Sequence, residues 1–353
     1  EYIDSVWSVP KSIGENINTT DHEATVGLAA DGQKLLIYKF LEGSGDIYES
    51  NLAGTTWLAP VKMGSDVNTK SWEPHASISS DGNRLYFTSD REGGFGGTDI
   101  YYCKRMPDGL WSMAQNMGPM VNTAYDEDGA VLHPDGVTLF FSSKGHNTMG
   151  GYDIMFTSMD EEGKWSAPHN MGYPVNTTGD DVFYVPTTDG KGAYYSSFRK
   201  DGYGDQDIYK LSFPEVEEKS LTVYKGIVRT KSGRIPKVLI SVVDAETGEL
   251  VGDYNPNSAT GKYLIILQPG KNYEITYDGE GCFYYSDFIE VAENSAYHII
   301  NKAIDLDPLT VGSTVNLSNI FYDYDKASLK PDSYNELDNL ITLMNQCPSL
   351  VIE

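Results

Sequence analysis

Hydrophobic and polar residues alternate over short runs that are cut by turn signals, and the pattern repeats. HASIS (75–79) alternates, Asp81-Gly82 supplies a hairpin turn, and RLYFTS (84–89) and TDIYYCK (98–104) follow with aromatic and β-branched residues. Pro107-Asp108-Gly109 then leads into a short fourth strand opened by Trp111. Trp7, Trp57, Trp111 and Trp165 each begin a similar phrase: WSVPKSIGENINT, WLAPVKMGSDVNT, WSMAQNMGPMVNT and WSAPHNMGYPVNT. Asp-Gly pairs recur at 31, 81, 135 and 189, and Asp-Ile pairs at 46, 99, 153 and 207. Four strands in each unit of about 54 residues, without helical periodicity, predict one propeller blade per unit. The fold class is therefore mainly β. A β-propeller over 1–213 is followed by a small β-sandwich and the start of an α+β domain.

GGFGGTDIY (93–101) lies between the second and third strands of its blade. Its counterparts are GSG at 43–45, MGG at 149–151 and GYGD at 202–205. A phosphate-cradling loop would occur once and lead into a helix. Recurrence in every blade instead predicts a hairpin turn that needs positive φ. Gly97 and Gly151, with Asp46, Asp99, Asp153 and Asp207, are assigned as structural turn residues, the aspartates bonding the turn.

The repeat phrases resemble the PD40 (WD40-like) propeller repeats of periplasmic proteins, in a variety common in Bacteroidota outer-membrane-associated proteins, over residues 7–213. In that family further blade sequence precedes this point. The resemblance implies that Trp7 belongs to an earlier blade and that the intact propeller has at least five. The alternative is that Trp7 closes a ring of four against the last blade.

PEVEEKS (214–220) reads as a charged linker. Short β runs then alternate with turn signals such as Ser232-Gly233, Pro269-Gly270 and Asp278-Gly279, predicting an antiparallel sandwich over 221–305. Gly226, Val228, Gly233, Pro236, Asp244, Thr247, Gly248, Thr260, Gly261, Tyr263, Leu267, Pro269, Gly270 and Tyr273 resemble the carboxypeptidase regulatory-like domain. That resemblance implies a non-catalytic spacer. In 306–353 an aromatic strand precedes a helix begun at Pro331, with Asp332 and Glu336 in its first turns. Leu337, Leu340, Ile341 and Met344 form its apolar face, Cys347-Pro348 ends it, and LVIE begins another strand. Phe321, Leu329 and Pro331 resemble the opening of an OmpA-like domain. The Asp and Arg by which that family binds peptidoglycan fall beyond this sequence, so no peptidoglycan-binding residue is assigned within it.

Charge narrows the partners. The chain has 26 basic and 51 acidic residues, net −25, a field that repels nucleic acid and anionic lipid. No apolar run reaches the ~18 residues of a membrane span. Three scattered cysteines, Cys103, Cys282 and Cys347, offer neither a disulfide framework nor a zinc site and are read as buried or half-buried thiols. The six histidines form no metal-binding pair and are read as isolated surface or turn residues. No G-x-S-x-G elbow occurs, so no catalytic residue, cofactor or metal is expected. One constellation stands out: an acid eight residues before each Asp-Gly, namely Glu23, Glu73, Glu127 and Asp181. Two readings stand. Four carboxylates ring one mouth of the central channel and take a cation or the basic end of a peptide, or each accepts hydrogen bonds from a neighbouring Asn-Thr turn at Asn18, Asn68, Asn122 or Asn176.

The order of domains resembles that of the peptidoglycan-anchoring lipoproteins of the type nine secretion (gliding-associated) machinery. It implies a non-enzymatic periplasmic scaffold, held at the outer membrane by an N-terminal lipid anchor outside this sequence. Its partners would be outer-membrane complex subunits and, through the rest of the OmpA-like domain, peptidoglycan. Two rivals are an accessory subunit of another outer-membrane machine, such as the β-barrel assembly complex, and a hydrolase gated by the propeller with its catalytic domain elsewhere.

Overall fold

The computed structural model describes residues 2–3, 6–41, 43–310, 317, 319–330 and 333–346. Blade one comprises His22–Leu28, Lys34–Leu41 and Ser44–Ala53, edged by Thr56–Trp57 and Val61–Lys62. Blade two is Ala76–Ile78, Arg84–Ser89, Asp99–Lys104 and Gln115–Asn116, and blade three is Glu127–Leu132, Thr138–Ser143, Asp153–Ser158 and His169–Asn170. Blade four has three strands, Asp181–Pro186, Gly192–Ser197 and Asp207–Ser212. In every blade the chain runs outward as an antiparallel meander. The glycine of each Asp-Gly turn has positive φ, 70° at Gly32 and 73° at Gly82, where a side chain would be strained.

Both faces of a blade are buried, which explains why second strands such as RLYFTS read as continuous apolar runs. Leu85 and Phe87 pack against Leu36 of blade one, while Tyr86 packs against Leu139 and Phe141 of blade three. The ring of four does not close. Ile47, Ile100 and Ile154 are fully buried by the following blade, yet their counterpart Ile208 is 82% exposed. Among the described residues no strand edges Asp207–Ser212. Trp7 pairs with Tyr2 and meets Tyr194 of blade four edge-on at 6.1 Å. It does not form that blade's outer strand.

The sandwich has one sheet of Lys262–Leu267, Thr222–Thr230 and His298–Leu306, and another of Leu250–Tyr254, Val238–Asp244, Lys271–Gly279 and Tyr285–Val291. It is not wholly antiparallel. Thr222–Thr230 and His298–Leu306 run parallel over nine paired positions, because the last strand crosses back from the second sheet and enters beside Thr222. Tyr224, Ile240, Val242, Leu267, Ile275 and Tyr277 fill the core at 0% exposure, each aliphatic contributing about 1.5–3 kcal/mol by burial.

The sandwich is fastened to the Asp-Gly end of the propeller at every blade. Asn257 donates to Gly54 O at 2.7 Å and Gln33 Oε1 at 3.3 Å, and Asn83 donates to Val251 O at 2.7 Å. Gln268 donates to Pro134 O at 2.6 Å, and Thr188 and Tyr297 share a hydroxyl contact at 3.1 Å. The linker joins this junction through Lys219, whose Nζ lies 2.8 Å from Asp135.

Beyond the sandwich, Phe321, Tyr322 and Leu329 lie in irregular chain, with a single Tyr322–Leu329 bridge in place of the expected aromatic strand. The helix is Tyr334–Gln346. Leu343 is its buried apolar residue, beside Leu340, Phe283 and Tyr284, whereas Ile341 is 54% exposed and does not belong to the buried face. The helix docks on the sandwich instead of standing apart: Tyr284 donates to Glu336 O at 3.1 Å, and Asn339 to Thr276 at 3.1 Å. Pro331, Asp332, Cys347, Pro348 and the LVIE strand lie outside the described residues.

Burial pushes the Asp135 carboxyl up, but the hydrogen bond and charge of His133, joined by Lys219, outweigh it and hold the group well below the usual carboxylate range. A depressed carboxylate stabilises the fold above its unfolded pKa and loses that contribution as pH falls through the folded value. Resistance to urea should therefore fall below about pH 4. Lys219→Ala should lower stability at pH 7 and flatten this acid limb, and equal slopes for the two proteins would exclude the pairing.

Candidate functional site

The end of the propeller opposite the sandwich is built from two kinds of loop, the Asn-Thr turns before each first strand and the glycine loops between second and third strands. Asn122 accepts from Ile100 N at 2.8 Å and donates to Ile100 O at 2.9 Å, so one buried side-chain amide saturates both backbone groups of the blade before it. Asn68 does the same to Ile47, and Asn176 to Ile154. Among the described residues Asn18 has no such partner. Its carbonyl accepts from Ser12 and Ile13, and it is exposed.

The four acids are held by the threonines of these turns and not by the asparagines, of which Asn68, Asn122 and Asn176 are spent on the clamp. Thr69 N and Oγ1 donate to Glu73 at 3.1 and 2.8 Å, and Thr123 N and Oγ1 donate to Glu127 at 2.7 and 2.6 Å. Thr177 binds Asp181 at 2.6 and 2.9 Å, and Thr19 binds Glu23 in the same way. Ser89, Ser143 and Ser197 of the second strands donate to Glu73, Glu127 and Asp181. Those three acids are fully buried. Burial raises the Glu127 pKa against the opposing hydrogen bonds of Thr123 and Ser143, whereas at half-buried Glu23 the Thr19 hydroxyl lowers it. The carboxylates are thus buried pins that tie each turn to its blade. Among the described residues no group of three or more His, Cys, Asp or Glu side chains is arranged to hold a metal ion.

Two cations missing from the sequence reading complete these pins. Arg91 reaches Glu73 at 3.2 Å and Val67 O at 2.5 Å, and its guanidinium lies 4.8 Å over both Phe87 and Tyr101. Arg199 donates to Pro174 O and Val175 O, each at 2.8 Å, beside Tyr195 and Tyr209. The signal for both is an arginine two residues past the last serine of the second strand. Two histidines are also not surface residues. His133 is 1% exposed in its turn and His75 is 5% exposed, with its ring stacked 5.3 Å from Phe183. Burial lowers the His75 pKa. Cys103 and Cys282 are buried free thiols, that of Cys103 pushed up to about 12 by burial, and Cys347 lies outside the described residues.

The Asp-Ile aspartates organise the glycine loops. Asp99 accepts from Phe95 N at 2.6 Å and Gly96 N at 3.1 Å, and is bound by Asn116 at 2.8 Å. Asp153 accepts from Met149 N and Asn170, both at 2.6 Å, and Asp207 from Tyr203 N at 2.7 Å. In blade one the shorter loop leaves Asp46 to Ser44 and to Lys62, 2.8 Å away.

The glycines differ from expectation. Gly97 and Gly151 do not adopt positive φ. They are needed because the loop presses on the next blade's turn: a Cβ on Gly97 would lie 2.2 Å from Asp126 Oδ1, and one on Gly151 2.1 Å from Asp180 Oδ1. At Gly96 a Cβ would meet Tyr125 O at 1.8 Å.

At the opposite end, a cavity of about 680 Å³ lies between the turns of blades one and two and the sandwich, with Asp31, Asp81, Arg105, Trp111 and Tyr254 among its lining. Its lining includes no histidine or cysteine.

No protein-family model and no curated protein matches this chain. Among solved structures it is similar to TolB from Acinetobacter baumannii, at 13% identity and a TM-score of 0.39, covering 79% of this chain and 58% of that one. The chain thus spans less than two thirds of that TolB. Hydrazine synthase from Kuenenia stuttgartiensis is 10% identical with a TM-score of 0.39, over 91% of this chain and 67% of that one. Prolyl oligopeptidase B from Galerina marginata is 12% identical with a TM-score of 0.32, over 75% and 32%. These likenesses concern the fold.

Asn122→Ala would orphan the buried N–H of Ile100, whose C=O keeps the Met117 N–H at 3.0 Å, and should cost about 1–3 kcal/mol in chemical unfolding. Asn18→Ala should change stability by no more than about 0.5 kcal/mol. Similar losses at the two sites would show that the clamp is not what Asn122 contributes. Gly96→Ala should cost about 1–3 kcal/mol through the clash with Tyr125 O, whereas Gly204→Ala, with open space around it, should leave the melting temperature unchanged.

Proposed function

We propose that this protein is a non-enzymatic periplasmic scaffold that links an outer-membrane protein complex, of the type nine secretion or gliding kind, to peptidoglycan. The observation that carries the reading is the junction. Every blade's Asp-Gly end is bonded to the sandwich or its linker, and the sandwich in turn holds the helix of the OmpA-like segment. Force applied to the propeller passes through packed hydrogen-bonded contacts to the segment expected to lead to the cell wall. A tether needs that continuity, and it leaves the far propeller face open to partners. Buried carboxylates that serve as pins fit the same reading, since their lone pairs are committed to holding turns. Service in another outer-membrane machine, such as a β-barrel assembly complex, would use the same architecture with a different partner.

Affinity purification of the full-length protein from native envelopes, with mass spectrometry, tests the first half of this reading. Sedimentation with purified sacculi tests the second. Co-purification of outer-membrane proteins together with sacculus binding is expected. Recovery of neither, or hydrolysis of peptide or glycan substrates by the purified protein, would overturn the reading.

A further inference from the structure

Three glycine loops carry a large hydrophobic side chain at one equivalent position, four residues before the aspartate of the Asp-Ile pair. Phe95 is 48% exposed, Met149 45% and Tyr203 fully exposed. In each case that aspartate accepts the hydrophobic residue's own backbone N–H, at 2.6 Å for Phe95 and Met149 and 2.7 Å for Tyr203. In blades two and three the following glycines seat the loop on the next blade. The aspartate and glycines hold the loop in place, and none of these contacts buries the hydrophobic side chain. Exposed aromatic or methionine side chains on rigid loops lose little entropy when covered, which is how interface anchors behave.

The three loops lie at the end of the propeller opposite the Asp-Gly turns, so the sandwich leaves them uncovered. Their surroundings are acidic, with Asp90, Glu92, Asp201 and Asp205 exposed on the loops of blades two and four. The nearby cations are largely committed. Arg91 and Arg199 cap the pins, and Lys144 pairs with Asp126 at 3.0 Å, which leaves Lys70 and Lys200 among the described residues. Hydrophobic anchors framed by uncompensated acids fit a basic surface and repel an acidic one.

We propose that Phe95, Met149 and Tyr203 form the contact face for a basic segment of a partner protein. This rests on the reading of the protein as a scaffold and names which face receives the partner and its charge.

The test replaces Phe95, Met149 or Tyr203 in the full-length protein, one at a time, by the photoreactive residue p-benzoylphenylalanine, and irradiates intact cells. All three positions should crosslink one partner protein within a peptide of net positive charge, while the same residue at Leu239, exposed on the sandwich, should not. No crosslink, or one to lipid, to a second copy of this chain or to an acidic peptide, would overturn the proposal. The combined variant Phe95→Ser, Met149→Ser, Tyr203→Ser should recover that partner at least about tenfold less well, with sacculus binding and melting temperature unchanged. Equal recovery by the variant would sink the proposal and leave the scaffold standing. Absence of any outer-membrane partner or sacculus binding in the unaltered protein would instead sink the scaffold.

Discussion

The propeller depends on one interaction, the side-chain amide of an asparagine bonded to both the N–H and the C=O of an isoleucine in the preceding blade. The C=O also accepts from a backbone N–H of the outer segment, as Ile100 O does from Met117 N, but the N–H relies on the amide, and leaving it unpaired would cost more than a typical hydrogen bond contributes. Each clamp therefore fixes two blades in register while the isoleucine side chain fills the gap between them. The threonine after the asparagine then hands the turn to the buried acid, and the acid hands it to a serine of the second strand. Adjacent blades are joined through this chain of contacts as well as by apolar packing.

Much of this was legible from the repeat. Strands such as RLYFTS and TDIYYCK were readable to within a residue, because aromatic and β-branched runs end at Asp-Gly, where positive φ is required. The recurring acids were visible too, but not which neighbour they would meet. Sequence spacing shows that an Asn, a Thr and a Glu travel together. It does not show that the asparagine is committed across the blade boundary, leaving the threonine to bind the acid.

Other features were hidden for physical reasons. Gly97 and Gly151 looked like turn glycines, whereas their necessity comes from Asp126 and Asp180, which are 29 residues further along the chain in each case. Crossing from one sheet to the other places the last sandwich strand parallel to the first, and nothing local in HIINKAIDL signals that. Along the helix, Leu343 and not Ile341 turned inward because the sandwich surface around Phe283 and Tyr284 selects the face. The junction itself uses Asn257, Asn83 and Gln268, polar residues without a periodic signature.

The repeat in the sequence and the repeat in space are out of phase. Each tryptophan phrase lies at the head of a unit in the chain, yet its strand edges the blade before it, as Gln115–Asn116 edges blade two. A self-contained block therefore runs from one acid through to the next Asn-Thr turn, not from tryptophan to tryptophan. Any duplication or excision that respects the first boundary passes on a complete interlocking module. One cut at the tryptophans would leave an unedged strand at one end and a ribbon parted from its blade at the other.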